Sequence, residues 1–452
     1  MVTSGNTRVD SAAKPRSAYS KVALFILLFY LYSVFLSPYI SSWLPSLAGY
    51  PVGAMVREVA IVIFLVYFCA KSFKCRIFSL QLQLIIYFIL IAITLTVLFF
   101  TEGTLLQYVI GVNSFLAFPA IYVFLHCYSS AISAHGLQQF VSKINRHVGN
   151  ILVLLALIGV IDVVTDGALV VALGYNSNYG GENFTLITTY NDAIRANAGV
   201  GDALAFGYLM SVGVILFFFR IKKGNPGFAS NFIGLIICTI AAILSLTRGA
   251  IIATALTYVF FLLNLRHSWL LLLAFMISII ILMNTSYSEI LLGRFTDSDD
   301  GSARSSELRI VMALASLDYL SQNHWGVGIG TQGAGNLLAK DDLRLNTDSY
   351  FFHIFLELGL YGGIVFMIYI ASQLIYFFRS NVGIRVKCSV FALFLLSASL
   401  SSSIAFATLC VPFWLTLWLI QQSTSVPAVN LRNQTLSQSA THFRRYRPAV
   451  RG

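Results

Sequence analysis

The sequence predicts an all-α polytopic membrane protein with about twelve transmembrane helices. Of its 452 residues, 58% are apolar and only 10% are charged, and the mean hydropathy is +0.80. A soluble globular protein carries about 25% charged residues, so this chain cannot cover itself with a polar surface. Long apolar runs recur along the chain, most of them near the roughly 20 residues that a helix needs to cross a bilayer. These observations exclude a cytosolic enzyme, a secreted domain and a disordered scaffold.

The transmembrane helices are predicted at twelve apolar runs within a membrane domain that covers residues 22–421. The pair of runs over 229–264 is interrupted only by Thr247, Arg248 and Gly249, which predicts a tight hairpin. The polar and basic segment 1–21 precedes an apolar run that is long enough to remain as a span, so no cleavable signal peptide is expected. The basic tail 422–452 is expected to be disordered. The runs are 22–37, 53–70, 79–100, 105–126, 149–165, 203–219, 229–246, 249–264, 268–284, 349–378, 386–403 and 405–421.

The basic residues predict how these helices are oriented. With both termini in the cytoplasm, most of the 29 Lys+Arg residues fall in cytoplasmic segments, as the positive-inside rule requires. One miscounted span would destroy this alternation. Two outer loops are then long, 166–202 and, between helices nine and ten, 285–348. Because bare connections between helices need only a few residues, we expect the chemistry of this protein to lie on the outer face.

Eight basic residues depart from the rule because they fall on the outer side. Seven of them are arginines, whose planar guanidinium suits bidentate recognition of phosphate or carboxylate. The net charge of +11 would indicate nucleic acid in a soluble chain, but here the basic residues follow the membrane topology, so no nucleic-acid partner is expected. The eight are Arg57, Arg195, Arg248, Arg294, Arg304, Arg309, Lys340 and Arg344.

Arg248 is the first candidate for a functional residue. It lies in S-L-T-R-G-A (245–250) and is the only charged residue between Lys223 and Arg266. A charge so placed is costly in hydrocarbon and therefore indicates function. The alternative is an arginine that extends to the outer headgroups. This alternative is less favoured, because basic residues prefer the cytoplasmic side of a membrane.

Arg309 is the second candidate. It lies in S-S-E-L-R-I-V-M-A-L (305–314), which is predicted to open an amphipathic helix that ends in W-G-V-G-I-G (325–330). The glycines permit tight backbone turns near a ligand. The alternative is a solvated helix face on which Arg309 pairs with Glu307.

Residues on the flanks of the two long outer loops complete the candidate set. Arg195 begins R-A-N-A-G-V-G-D-A-L-A-F-G, just before the sixth span, and Asp348 begins D-S-Y-F-F-H-I-F-L-E-L-G-L-Y-G-G. Asp348 is placed to cap the tenth helix, and a carboxylate at the membrane surface can also accept a proton from a substrate hydroxyl. His353 and Glu357 lie four residues apart on one helix face, which predicts that they pair with each other or with a neighbouring helix.

No metal or cofactor is expected. D-S-D at 297–299 resembles the carboxylate pair of metal-dependent glycosyl transfer, but its setting in D-S-D-D-G-S favours a solvated turn. The sequence contains neither a G-x-x-x-x-G-K-[ST] loop nor H-E-x-x-H. Outward-facing arginines at the mouth of a helical bundle instead suit a lipid diphosphate, whose charge two guanidiniums can neutralise.

The order of these segments around a large outer loop resembles the bacterial O-antigen ligase/polymerase superfamily. The similar region covers roughly residues 190–370 and runs from the Arg195 segment through S-L-T-R-G-A and the W-G-V-G-I-G-T helix end to the Asp348 segment. The resemblance implies a C-type integral-membrane glycosyltransferase of the bacterial inner membrane with a periplasmic active site. Such an enzyme takes an undecaprenyl-diphosphate-linked glycan as donor and transfers it to a hydroxyl group without nucleotide or metal.

The resemblance also implies that Arg248 and Arg309 hold the diphosphate and that Arg195 contacts the glycan or a phosphate. Because it is a carboxylate at the membrane surface, Asp348 is the candidate catalytic base. The residues expected to contact substrate are Arg195, His353, Arg304 and Arg344.

One departure from the family pattern separates its two branches. Ligases place a histidine about eleven residues before the glycine of E-x-G, whereas that position here is Asp348. An aspartate favours the Wzy-type polymerase branch, although a shifted alignment would make His353 the counterpart.

The predicted partners are the lipid-linked donor and acceptor, the lipid bilayer, a chain-length regulator and a flippase. The alternatives are a ligase that transfers glycan to lipid A–core or to a protein hydroxyl, and a polysaccharide transporter or flippase.

Overall fold

The computed structural model describes residues 19–44, 52–101, 105–172, 189–190, 193–200, 202–224, 227–262, 276, 300–331, 349–401 and 403–425. Within these ranges the chain is almost entirely helical, which confirms the predicted all-α class. Strand structure there is limited to β1 (Thr189–Tyr190) and β2 (Ala193–Ile194), an antiparallel pair in which Thr189 lies opposite Ile194. This short pair was not predicted.

The helices are numbered here in chain order. A π-helical turn, Asn113–Ala117, joins α4 to α5, and a 3₁₀ turn, Ser403–Ala405, precedes the last helix. The helices are α1 (Lys21–Trp43), α2 (Val52–Ser72), α3 (Phe78–Phe100), α4 (Leu105–Val112), α5 (Phe118–Ala131), α6 (Ala134–Val164), α7 (Ala168–Ala172), α8 (Ala203–Lys222), α9 (Phe228–Leu244), α10 (Arg248–Leu262), α11 (Asp300–Gln322), α12 (Tyr350–Phe378), α13 (Ile384–Ser399) and α14 (Ala407–Ser425).

The chain is a multi-pass membrane protein. Among the described residues, seven helices are long and apolar enough to cross a bilayer. The predicted total of twelve stays a prediction, because α9 and α10 are apolar but shorter, α13 and α14 are not among the seven, and only residue 276 of the run 268–284 is described. The seven are Lys21–Ser41, Val52–Ser72, Phe78–Phe100, Asn113–Ala131, Ala134–Val164, Ala203–Lys222 and Tyr350–Phe378.

Several helices begin or end away from the predicted bounds. Helix α6 begins at Ala134, well before the predicted 149, because the Ser133 side chain caps it by accepting from the Gly136 N–H at 3.1 Å. Helix α11 begins at Asp300, so Arg309 lies within this helix and does not open it as predicted. Helix α14 continues to Ser425, past the predicted start of the tail.

Helix α8 forms the centre of the fold. Its side chains are buried almost all round, as expected of a helix that is apolar on every face. It packs against α6, α9, α10, α13 and α14. Two of the neighbours of α8, namely α10 and α13, also pack against each other, so these three helices set the positions of residues that lie far apart in sequence.

Candidate active site

The hairpin between α9 and α10 turns over Ser245, Leu246 and Thr247, so Arg248 is the first residue of α10 and lies outside the turn that was predicted to contain it. Leu246 has a φ of +52°, a left-handed conformation that a bulky L-residue seldom adopts. The Ser245 Oγ accepts from the Thr247 N–H at 3.3 Å. Backbone strain of this kind is concentrated at functional sites.

The Arg248 side chain is partly buried and has unused hydrogen-bonding capacity. Its Nε is buried and has no hydrogen-bond partner within the part of the chain that the structure describes. Buried polar groups in native proteins are nearly always hydrogen-bonded, so an unfilled guanidinium donor suits an anionic ligand that completes it.

Arg195 lies against the same turn. Its Nε donates to the Ser245 backbone oxygen at 2.9 Å, and its Nη2 donates to the Thr247 Oγ1 at 3.0 Å. The Ala196 N–H donates to the Leu244 backbone oxygen at 3.0 Å. The structure therefore brings Arg195 to the residues that immediately precede Arg248.

Asp202 fixes the start of the central helix beside this turn. Its Oδ1 accepts from the Leu204 N–H at 3.1 Å and so caps α8. Burial raises the pKa of the Asp202 carboxyl above its usual value, and hydrogen bonds from backbone N–H groups together with the Arg195 charge offset only part of this effect. The Thr247 Oγ1 donates to the Ala203 backbone oxygen at 3.2 Å and ties the turn to the same helix end.

Helix α13 connects this turn to the start of α12. A Cβ at Gly249 would lie 2.0 Å from the Tyr208 Oη, so only glycine fits beside that tyrosine. The Tyr208 hydroxyl donates to the Leu396 backbone oxygen at 3.1 Å, and the Ser349 hydroxyl donates to the Ala398 backbone oxygen at 3.3 Å. Tyr208 and the residue just before α12 therefore bind carbonyl groups two residues apart on α13.

The loop that follows α11 makes the tight turns that its glycines predict. Gly326, Gly328 and Gly330 have φ values of +79°, +107° and +82°. A Cβ at Gly111 of α4 would lie 2.4 Å from the Gly330 nitrogen, so two backbones approach each other directly here. We call residues 323–331 the glycine loop.

The glycine loop is fastened to α12 by backbone hydrogen bonds. The Val327 N–H donates to the Leu356 oxygen at 2.8 Å, and the Leu360 N–H donates to the His324 oxygen at 2.9 Å. Gly359 has a φ of +69° inside α12, and a Cβ there would lie 2.3 Å from the His324 oxygen. Gly359 therefore kinks α12 to admit the loop.

His353 and Glu357 form the predicted pair. Their Nε2 and Oε1 atoms lie 3.4 Å apart, and the side chains are 3% and 1% exposed. The other Glu357 oxygen, Oε2, accepts from the Gly330 N–H at 3.0 Å, a contact that the sequence did not predict. The predicted role of His353 in substrate binding stays a prediction.

A polar cluster joins α2 to the π-turn and was not predicted from the sequence. The Arg57 Nη2 lies 2.9 Å from the Glu58 Oε1, and the Asn113 Nδ2 donates to the Glu58 Oε2. The Tyr350 hydroxyl donates to the Ser114 backbone oxygen at 3.5 Å, which links the π-turn to α12. The available signal was an Arg-Glu pair inside an otherwise apolar run, and π-turns frequently mark functional sites.

Some predicted site residues lie outside the described part of the structure. The structure gives the backbone of Arg304 and Arg309 within α11 but describes neither side chain, and Arg344 and Asp348 are outside the described residues altogether. The D-S-D segment at 297–299 is outside them as well. The structure therefore brings Arg195 to the turn before Arg248, while the convergence of Arg248, Arg309 and Asp348 stays a prediction.

The chain is a polytopic membrane protein in which Arg248 begins the helix after a strained turn, and its residues 233–367 match the family model described as O-antigen ligase. The O-antigen polymerase of Salmonella muenchen is 33% identical over an alignment of 389 residues that covers 82% of this chain and 96% of the relative. The chain therefore belongs to the O-antigen ligase/polymerase superfamily, in its Wzy-type branch, as the motifs predict.

Proposed function

We propose that this protein is a membrane glycosyltransferase that polymerises lipid-linked oligosaccharide repeat units into O-antigen or exopolysaccharide. The observation that carries the proposal is the 33% identity to an O-antigen polymerase over 96% of that protein's length. The family match over 233–367 includes Arg248, helix α11 and the first part of α12, so it covers the proposed catalytic residues Arg248, Arg309 and Asp348, whereas Arg195 lies before it.

The proposed reaction joins a growing chain to an incoming unit. The donor is the growing chain on undecaprenyl diphosphate, and the acceptor is a sugar hydroxyl of a second lipid-linked unit. The hydroxyl oxygen bonds to the anomeric carbon of the donor while the bond from that carbon to the diphosphate oxygen breaks. Undecaprenyl diphosphate leaves with the electron pair of the broken bond, and the hydroxyl proton passes to a base.

Arg248 and Arg309 stabilise the departing diphosphate in this proposal. Guanidiniums suit the role because charge-assisted, bidentate contacts to phosphate are strong and directional. Donors that are already oriented toward developing charge supply a large share of catalytic power. The unfilled Nε of Arg248 supports its part of the assignment, since a bound anion would satisfy that donor.

Asp348 is the proposed base, and four further residues contact the glycan or its phosphates. Ser349, the residue after Asp348 in the chain, donates to the Ala398 oxygen of α13, two residues from the Leu396 oxygen to which Tyr208 donates. Arg195 acts beside Arg248, in keeping with its contacts to the turn. The residues proposed to contact substrate are Arg195, His353, Arg304 and Arg344.

The proposed setting is the bacterial inner membrane, with both termini in the cytoplasm and the active site on the periplasmic side. The positive-inside distribution of Lys and Arg supports this orientation. The reaction needs no metal, because two guanidiniums provide the positive charge that the leaving group requires. A chain-length regulator and a flippase are the proposed partners.

A purified-protein assay tests the function directly. We expect the protein in detergent to extend undecaprenyl-diphosphate-linked repeat units into a ladder of longer chains in the presence of EDTA. A failure to extend such units under conditions where the protein is monodisperse contradicts the proposal. Transport without chain growth in reconstituted vesicles would instead support a flippase.

A deletion strain separates the polymerase from the ligase. Loss of a polymerase leaves single repeat units attached to lipid A–core, because ligation continues. Loss of a ligase leaves long polymer attached to undecaprenyl diphosphate and unattached to lipid A–core. We expect the first pattern, and the second would overturn the proposal.

A further inference from the structure

We infer that Glu357 is a positioning residue, which fixes the orientation of α11, and therefore of Arg309, by holding the Gly330 N–H. The inference rests on the proposed function where it concerns activity. The anchoring of the glycine loop by Glu357 rests on contacts that the structure shows.

The C-terminal end of α11 rests on α12. Leu320, Val327 and Leu356 form a buried apolar cluster, against which Tyr319 and Phe355 pack. Helix α11 is continuous from Asp300 to Gln322, so the orientation of the whole helix follows from how its C-terminal end is attached.

Within the described residues, three hydrogen bonds fasten the glycine loop to α12, and Glu357 supplies the one that a side chain makes. Two bonds join backbone to backbone, from Val327 to Leu356 and from Leu360 to His324. The third joins the Gly330 N–H to the Glu357 Oε2 at 3.0 Å, near the end of the loop farthest from α11. The loop is thus held at its start, its middle and its end.

The Gly330 N–H is buried in a tight place, where the Glu357 carboxylate serves as its hydrogen-bond acceptor. The backbone of Gly111 approaches so closely that a Cβ on it would lie 2.4 Å from the Gly330 nitrogen. An N–H buried in such a place is costly to leave without a partner. An acidic side chain in an apolar helix is likewise costly unless hydrogen bonds compensate it. Each group therefore satisfies the other.

His353 holds the carboxylate of Glu357 in place. Its Nε2 lies 3.4 Å from the Glu357 Oε1, one turn earlier on α12. The His353 ring packs edge-on against Phe115, with centroids 5.9 Å apart, which restricts its own rotation. Both oxygens of Glu357 thus face fixed partners.

The geometry makes activity sensitive to this anchor. Arg309 lies thirteen residues before Gln322, about 20 Å along the helix at 1.5 Å per residue. A rotation of about 10° at the anchor would therefore move Arg309 by about 3 Å. Misplacement of a catalytic group by about 1 Å can lower the rate about 100-fold.

Three substitutions at position 357 test the inference in the full-length protein. Glu357→Gln keeps an oxygen for the Gly330 N–H and an amide that can donate to His353, so we expect kcat for chain extension within about threefold of wild type. The side chains in Glu357→Ala and Glu357→Asp are too short to reach the Gly330 N–H, so we expect kcat to fall about 100-fold. Rescue by Gln distinguishes positioning from proton transfer, because an amide cannot act as an acid or base.

Hydrogen exchange followed by mass spectrometry supplies a readout that does not depend on activity. We expect Glu357→Ala to speed amide exchange in residues 323–331 by at least tenfold, with the rest of the chain unchanged, and Glu357→Gln to leave it as in wild type. Asp318→Ala is the matched control, because it removes an exposed carboxylate of α11 whose Oδ2 accepts from the Gln322 Nε2 of the same helix at 3.4 Å. The control should alter neither exchange nor activity.

Three results would overturn the inference. The first is full activity in Glu357→Ala, and the second is an inactive Glu357→Gln with normal exchange, which would indicate proton transfer. The third is faster exchange throughout the molecule in Glu357→Ala, which would indicate a general folding role. If the exchange results are as expected but wild-type protein extends no lipid-linked units, the anchor stands and the proposed function fails.

Discussion

Arg195 donates a hydrogen bond of 2.9 Å to the backbone oxygen of Ser245, fifty residues further along the chain. A second bond, from its Nη2 to Thr247, places the guanidinium across the strained turn before Arg248. Arg195 thus supports the geometry of this turn in addition to any contact that it makes with substrate. Two arginines that sequence motifs singled out separately belong to one local structure.

Replacing Arg195 should damage chain extension even when the charge is kept. Hydrogen bonds from a charged group contribute about 1.5–3 kcal/mol each, so we expect Arg195→Lys, which cannot reproduce the two-atom fork, to lower kcat/KM about 10- to 100-fold. The measurement is extension of lipid-linked units by purified protein. Wild-type kinetics in Arg195→Lys would show that the charge alone suffices there.

Arg248→Ala should abolish long polymer while the protein remains in the membrane at its normal level. Loss of a guanidinium that stabilises the leaving diphosphate is expected to lower the rate at least 100-fold. Polymer length in cells is the measurement, with protein level determined in the same membranes. Arg379→Ala is the matched control, since it removes an exposed arginine at the C-terminal end of α12. Normal polymer in Arg248→Ala would rule out its catalytic role.

Gly359→Ala should unfold or inactivate the protein far more than an ordinary Gly→Ala change. Its φ of +69° disfavours any side chain, and the added Cβ would lie 2.3 Å from the His324 oxygen. We expect a loss of at least about 2 kcal/mol in the free energy of unfolding, seen as a lower melting temperature in detergent. Gly383→Ala serves for comparison, because its φ is −60° and its Cβ would meet only the Lys222 Nζ at 3.4 Å. Equal melting temperatures for the two variants would contradict the kink at Gly359.

Asp202 should make stability depend on pH. Burial raises the pKa of its carboxyl in the folded state, so folding favours the protonated form, and this contribution is present at acid pH and lost as pH rises through the folded-state pKa. Asn resembles the protonated acid and keeps the capping oxygen. We therefore expect the melting temperature of Asp202→Asn, minus that of wild type, to be larger at pH 7 than near pH 4. A difference that grows toward acid pH would refute the assigned direction.

The pair of Arg57 and Glu58 should show strong coupling in a double-mutant cycle. Glu58→Ala leaves the Arg57 charge and the Asn113 amide without their shared partner inside an apolar helix. Because both side chains are partly exposed, we expect a loss of about 1–3 kcal/mol, less than for a fully buried pair. The double variant Arg57→Ala/Glu58→Ala should recover part of this stability, as measured by thermal unfolding. Additive effects of the two substitutions would mean that the pair contributes nothing.

Part of the candidate site could be predicted from sequence, because some of its contacts are local. The pairing of His353 with Glu357 follows from helix periodicity, and the positive φ angles of the glycine loop follow from its composition. The contact of Glu357 with Gly330 could not be predicted, because it depends on a kink at Gly359 that admits the loop. The π-turn at Asn113 was not predicted either, because a single turn within a continuous helical run leaves no periodic signal in the sequence.

The sequence alone determined that this chain is a helical membrane protein and which superfamily its motifs resemble, and it predicts which basic residues lie on the outer side. Hydropathy and charge are sums over neighbouring residues, so they can be calculated from the sequence without knowledge of the fold. Only the tertiary structure decided that Arg195 supports the turn before Arg248, and that Glu357 holds Gly330. Those contacts arise from the packing of α8, α10 and α13 and of the glycine loop on α12, which bring together groups whose separation along the chain carries no signal.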